Sequence, residues 1–408
     1  MKLAGHFNAI IEAVTPGGLT SDRSSEPVKS FGVGVDGFSF VGENYQIYEA
    51  NLRFLFECRK SIHVSYTVSE FEKRLIGFLY SNFSAKLLLD EAQSQLFFKE
   101  LEAVQIEDYS VFREIHGVVL RSFVHPFELG PFTIYHFVSH RHLIEMRASV
   151  SLEFFWKNNS PSYLIEVVVK ARHSEKAEEL ADRLFEKFEL CLRFSIGFNS
   201  NRYEVGILNY HGWRHRKAYI LSAGGSASSS HRNHGAFEYI PIDDKYFTES
   251  ESGFDRMWEG VKSNNPSELQ KRLLLAIEWV GQAYGELSPP SAFLKAAIAL
   301  EILFTQNEKT LVSASILNQI SESVALILGD NVEERIKIEA ELKRLYSMRS
   351  AIAHSGKTDV VQDDLFSIFS FCRQVIITIM VRPTLRDLRS ISEIHAYLKT
   401  VKYSCAEI

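Results

Sequence analysis

The sequence predicts an α+β protein in two parts: a β-rich α+β region over residues 1–262, with room for two subdomains, and an all-α helical bundle over 263–408. Three observations carry this reading. Short runs rich in Val, Ile, Phe and Tyr recur through the first part, as half-buried strands require. Helix-length amphipathic patterns follow one another through the last third. Between them, Asn264-Asn265-Pro266-Ser267-Glu268 combines breakers with a helix-start signal.

In chain order, the runs 51–58, 62–68, 132–138, 149–156 and 163–171 are partly alternating and are expected to be strands. Residues 174–188 form a charged amphipathic helix with Ala177, Ala181, Leu184 and Phe188 on one side. Strands are expected again at 190–194 and 203–208. Residues 223–230, Ala-Gly-Gly-Ser-Ala-Ser-Ser-Ser, read as a loop too poor in apolar side chains to fold alone. They lack the Gly-Lys-Ser/Thr of a phosphate loop. Helices are then expected at 267–287, 291–305, 311–328, 332–353, 361–382 and 388–399, with Pro266 in a first turn and Ser291 a start after Pro289-Pro290. Leu317, Ile320, Val324 and Ile327 make the stripe of the third, and Asp363-Asp364 read as cap residues of the fifth.

The helix expected at 332–353 carries the chemistry. Ile338, Leu342, Leu345 and Ile352 form its apolar stripe, and Arg349 points within about 20° of Ile338 at about 100° per residue. A permanent charge on a packed face needs a partner or a use. An ion pair with Glu301 is one reading; loss of such a buried partner typically costs about 3–5 kcal/mol. The other involves His354, five residues on, followed by Ser355-Gly356 as a stop signal. A histidine in a last turn faces the negative end of the helix dipole, which favours imidazolium by about 0.3–1 kcal/mol, and imidazole suits acid–base work near neutral pH.

Ala299-Leu300-Glu301-Ile302-Leu303-Phe304, Leu342-Lys343-Arg344-Leu345-Tyr346 and Arg349-Ser350-Ala351-Ile352-Ala353-His354-Ser355-Gly356 resemble the Apea-like branch of the HEPN superfamily. The R-x-x-x-x-H pattern of that family matches Arg349 and His354, and the resemblance covers roughly the last third of the chain. It implies an all-helical domain that dimerises and, in catalytic members, a metal-independent endoribonuclease of bacterial, anti-phage defence. Arg349 would bind phosphate and stabilise transition-state charge, His354 would act as general acid or base, and Glu301 would orient Arg349. Tyr346 and Ser350 would support them; many HEPN nucleases carry Asn, Asp or His where this chain has Ser350. Lys343, Arg344 and Lys357 are the expected RNA contacts. RNA, with tRNA as one class, is the expected substrate, and a homodimer the expected assembly. No metal or cofactor is expected, and the N-terminal region would sense a phage-derived trigger. The rival is a non-catalytic HEPN module that dimerises and binds a nucleotide or a protein.

The chemistry is coherent without the family. RNA supplies its own nucleophile, the 2′-hydroxyl, so cleavage needs a base, an acid for the 5′-oxygen and cations on the pentacoordinate phosphate. One arginine and one histidine are half of that set; two copies face to face complete it.

Composition narrows the rest. A formal net charge of −6 excludes a general nucleic-acid coat, so RNA contact must be local. Cys58, Cys191, Cys372 and Cys405 show neither zinc nor disulfide spacing. No secretory signal is visible, and the apolar run 365–381 is broken by Arg373-Gln374 and has a packed-helix period, so a cytoplasmic protein without a membrane partner is expected. The clusters His140-Arg141-His142, His211 to His215 and His231 to His234 lack acidic or cysteine partners at ligand spacing. The second and third, with Tyr210 and Trp213, are candidates for nucleic-acid contact against an ordinary surface role. Nucleophile-elbow, zincin and kinase motifs are absent.

Overall fold

The computed structural model of the chain describes residues 2–17, 28–32, 37–147, 161–198, 203, 205–208, 217–221, 227–231, 238–305, 316–355 and 359–403. Among the described residues the protein is mixed α+β and mostly helical. The chain forms two compact units, Met1–Val111 with Val168–Asp182, and Phe112–Val167 with Arg183–Ile408.

The first unit is mainly helical. It contains α1 (Leu3–Ala13), the short strands β1 (Thr15–Pro16), β2 (Val28–Phe31) and β3 (Phe38–Val41), then α2 (Glu43–Glu57), α3 (Lys60–His63), α4 (Val68–Ala85) and α5 (Glu91–Ala103). The strands form an antiparallel sheet in the order β1-β3-β2. Its core is aromatic: Phe7, Phe40, Tyr48, Phe71, Phe83, Phe97 and Phe98 are buried together. Thr67 caps α4 by accepting from Glu70 N at 3.1 Å. Asp90 and Gln93 form a capping box on α5.

Two expected strands do not form here: one is helical and the other is the turn between two helices. Extended back to Tyr48, the run 51–58 shows Tyr48, Leu52, Leu55 and Phe56 buried on α2, the i, i+4, i+7, i+8 pattern of one helix face. Residues 62–68 hold the end of α3 and the start of α4, with Ile62 and Tyr66, four apart, both buried. Runs this short and apolar are ambiguous by periodicity alone.

The strand β4 (Glu107–Glu114) follows, then β5 (Val118–Val119), β6 (Phe127–Leu129), β7 (Phe132–His136), the helix α6 (Phe137–Glu145), β8 (Tyr163–Ala171) and α7 (Ser174–Ile196). One four-stranded sheet has the order β4-β8-β7-β6. β7 pairs antiparallel with β8 from Phe132↔Val167 to His136↔Tyr163. Gly130 turns β6 into β7 at φ +60, and an added Cβ would lie 3.1 Å from Trp258 O, so only glycine fits. The expected strand at 163–171 is β8, and that at 132–138 is β7 followed by α6. The expected strand at 190–194 is helical, because α7 runs on to Ile196. Leu190, Cys191, Leu192 and Phe194 are all buried and Arg193 is the one polar residue among the five, so this stretch of helix carries little of the polar face that marks a helix in sequence. At 203–208 the described residues make a single bridge, Gly206 to His116, and Ile207 and Leu208 donate to Glu189. The expected strand at 149–156 lies outside the described residues.

After the short strands β9 (Lys217–Leu221), β10 (Ala227–His231) and β11 (Ile240–Pro241), the second unit is helical: α8 (Phe254–Lys262), α9 (Glu268–Tyr284), α10 (Pro289–Phe304), α11 (Ile316–Leu328), α12 (Val332–Ser355), α13 (Gln362–Val381) and α14 (Ile391–Tyr403). α10 packs against α9, α11, α12 and α13 and is the centre of the bundle. It is apolar enough for that place, with Phe293, Ala296, Ala297, Leu300, Leu303 and Phe304 fully buried. Its start differs from expectation: Ser288 is the N-cap and Pro289-Pro290 occupy the first turn, where a missing N–H costs nothing. Pro266 likewise stands just outside α9, which Ser267 and Gln270 cap. By length and composition α13 is the one described helix long and apolar enough to cross a membrane, and half of that window is buried, with Ile368, Cys372, Val375 and Ile376 in the bundle.

Candidate functional site

Arg349 and Glu301 are brought together by two neighbouring helices. Leu342, Leu345 and Ile352 bury one face of α12 and carry Arg349 to the last turn of α10. There Arg349 Nε lies 3.0 Å from Glu301 Oε1, and Nη2 donates to Oε2 at 3.3 Å. The buried Nε–H is not aligned on the carboxylate and makes no hydrogen bond, so the contact at Nε is ionic. The two side chains keep 30% and 23% of their surface exposed, so the pair is partly open to solvent although Nε itself is buried.

Tyr346, one turn before Arg349, is buried and donates its hydroxyl to Ala297 O at 3.0 Å. Burial, and then the charge of Glu301, push its phenol well above the ordinary tyrosine value. It therefore stays protonated and braces α12 on α10.

His354 is exposed in the last turn of α12. The helix does not stop between Arg349 and His354, so at about 100° per residue the two point about 140° apart. The face of His354 includes Lys343, Ser347 and Ser350, at spacings of four, three and four, and Ser350 is exposed. One chain thus presents the expected arginine and histidine on different faces of one helix.

The expected RNA contacts on this helix are already paired. Lys343 Nζ donates to Glu339 at 2.6 Å. Arg344 donates to Glu341 at 2.7 Å and to Asp364 at 2.6 Å, and these carboxylates raise its pKa further. Asp364, expected to be a cap residue, is buried and anchors Arg344 across 20 residues of sequence, a partnership with no local signal. Lys357 and Gly356 lie outside the described residues.

Of the histidine clusters, His140 is buried in α6; its Nδ1 accepts from His136 N at 3.1 Å and its Nε2 lies 2.9 Å from Phe123 O. Both ring nitrogens are used inside the fold. Residues 211–215 and 232–234 lie outside the described residues. Among the described residues no group of three or more His, Cys, Asp or Glu is placed to hold a metal. Compared with known proteins, the chain matches no protein family, no curated protein and no solved structure.

Proposed function

We propose that this chain is a cytoplasmic, metal-independent HEPN-type endoribonuclease of bacterial anti-phage defence, whose active site is shared by two copies. The observation that carries the reading is an arginine held by a carboxylate from the central helix, with a solvent-exposed histidine five residues further along the same helix. Arg349 presents a partly open guanidinium to a phosphate, while Glu301 limits its rotamers and so lowers the entropy lost on binding. His354 is free of the bundle and open to a partner. Because its ring points away from Arg349 of its own chain, a second copy supplies the opposing pair: one imidazole takes the 2′-hydroxyl proton, the other protonates the leaving 5′-oxygen. The N-terminal region is assigned the sensing of a phage-derived trigger.

Acid–base groups of this kind contribute about 10²–10⁴-fold. His354→Ala is therefore expected to reduce RNA cleavage by about that factor without altering dimerisation. The assay is incubation of the full-length protein with total RNA, including tRNA, in chelator, with end-group analysis for cyclic phosphate. Cleavage that persists undiminished in His354→Ala rejects this active site.

A second reading, a non-catalytic module that dimerises and binds a nucleotide or protein, is favoured by one observation: Arg349 is already paired and His354 faces the other way. It predicts no cyclic-phosphate product from the wild type, with Arg349→Ala acting on stability or association alone.

A further inference from the structure

We infer that the arginine-rimmed cavity beside the start of α9 is a subsite for the backbone of single-stranded RNA; the inference rests on the ribonuclease reading above. The cavity, of about 510 Å³, is lined by α8, the first half of α9, the end of α13 and the segment 386–389. Arg256, Arg386 and Arg389 stand on its rim, opposed by the carboxylates of Glu259 and Asp387. Its floor includes Met257, Ile277 and Ile379, each almost fully buried, so charges at the rim act beside a medium of low dielectric.

The guanidiniums are displayed on a fixed frame, and their ion pairs are loose. Arg256 Nη1 donates to Arg386 O at 3.0 Å, and Leu269 N donates to Arg389 O at 2.9 Å, tying the segment to α8 and α9. Leu385 is fully buried beneath it. Asp387 lies 3.6 Å from Arg256 and 3.7 Å from Arg386, too far for good hydrogen bonds, and its own side chain is 72% exposed. Among the described residues the Arg389 guanidinium has no partner. Three planar forks against two weakly engaged carboxylates fit phosphate diesters, which arginine grips in a bidentate way.

Two further observations tie the cavity to the ribonuclease reading. Lys343 and Arg344 of α12, about three turns before His354, are paired with Glu339, Glu341 and Asp364, so they offer little free positive charge to a polynucleotide on a chain of net charge −6. The cavity is also at the same end of the bundle as Arg349. Arg272, on the turn of α9 that contributes Leu269, Gln270 and Leu273 to the cavity, donates to Ile302 O at 2.8 Å and Thr305 O at 2.9 Å. Those carbonyls close the last turn of α10, the turn whose Glu301 holds Arg349.

The test is fluorescence anisotropy of a labelled oligouridylate on the full-length chain carrying His354→Ala, across a salt series, with thermal melting as a folding control. Arg386→Ala with Arg389→Ala is expected to weaken binding about tenfold and to reduce the slope of log affinity against log salt by about 1.4, from about 0.7 per single-strand phosphate contact. Asp387→Asn, which removes a competing carboxylate, is expected to tighten binding about threefold and keeps the test open if the double variant fails to fold. Unchanged affinity and slope in the folded arginine variant, or no RNA binding at all, overturns the subsite; so does displacement of the RNA by AMP at an affinity equal to that of the RNA. Cyclic-phosphate formation by the wild type is scored separately, so a chain that binds through these arginines without cutting sinks the nuclease reading alone.

Discussion

At the residue scale, the pair that matters most is Arg349 with Glu301. From the apolar stripe alone, a deeply buried pair was a fair expectation, with a loss of about 3–5 kcal/mol on breaking it. The observed exposures of 30% and 23% place it closer to a surface pair. Glu301→Gln is therefore expected to lower unfolding free energy by only about 1 kcal/mol, read from the urea midpoint, while reducing cleavage through a less restrained Arg349. The sequence makes both charges visible, and periodicity puts Arg349 on the packed side. Their degree of burial was not legible, because it depends on how the ends of α10 and α12 meet. The engagement of Arg344 by Asp364 was equally hidden, since its partner comes from the next helix.

At the element scale, glycine and capping chemistry set the helix contacts. Gly281 sits within α9, where alanine would ordinarily be preferred by about 1 kcal/mol. Here an added Cβ would lie 2.9 Å from both the carbonyl carbon and Cα of Leu190 on α7, and closer still to its oxygen. These are backbone atoms that cannot rotate aside, so the clash wins, and Gly281→Ala is expected to destabilise by about 2 kcal/mol, measured by chemical denaturation. The turn from α9 to α10 is held by Glu286, which accepts from Lys295 Nζ at 2.7 Å and from the backbone of Ser288 and Leu287. The Lys295 bond first, then the Ser288 N–H, hold its carboxyl below the usual glutamate range. A lowered folded-state pKa gives stability that is present above about pH 4.3 and is lost as pH falls through the folded value. Glu286→Gln is expected to cost about 0.5–1 kcal/mol at pH 7, a difference from wild type that fades in acid unfolding curves below about pH 4. The two departures from expected strand to helix, in α2 and α7, share a cause: a short window of large apolar side chains carries no phase, and only the longer element reveals 3.6-residue spacing.

At the scale of the whole molecule, the proposed chemistry needs two chains. Sedimentation velocity is expected to give a species of twice the 46.6 kDa chain mass, and the specific activity of the nuclease is expected to fall on dilution through the dimer dissociation range. A monomer that cuts RNA with undiminished specific activity would remove the shared site. By itself, the sequence determined the α+β class, the helical character of the last third, and the placement of Arg349 on the packed side of a helix that ends near His354, because these follow from local periodicity and stop signals. Only the tertiary structure decided that the described part of the first 111 residues is mainly helical, that Arg344 is also held by Asp364 of the next helix, and that Arg256, Arg386 and Arg389 share one cavity. The physical reason is range. Backbone periodicity acts over a few residues, whereas burial and charge pairing depend on segments far apart in the chain that packing brings within a few ångströms.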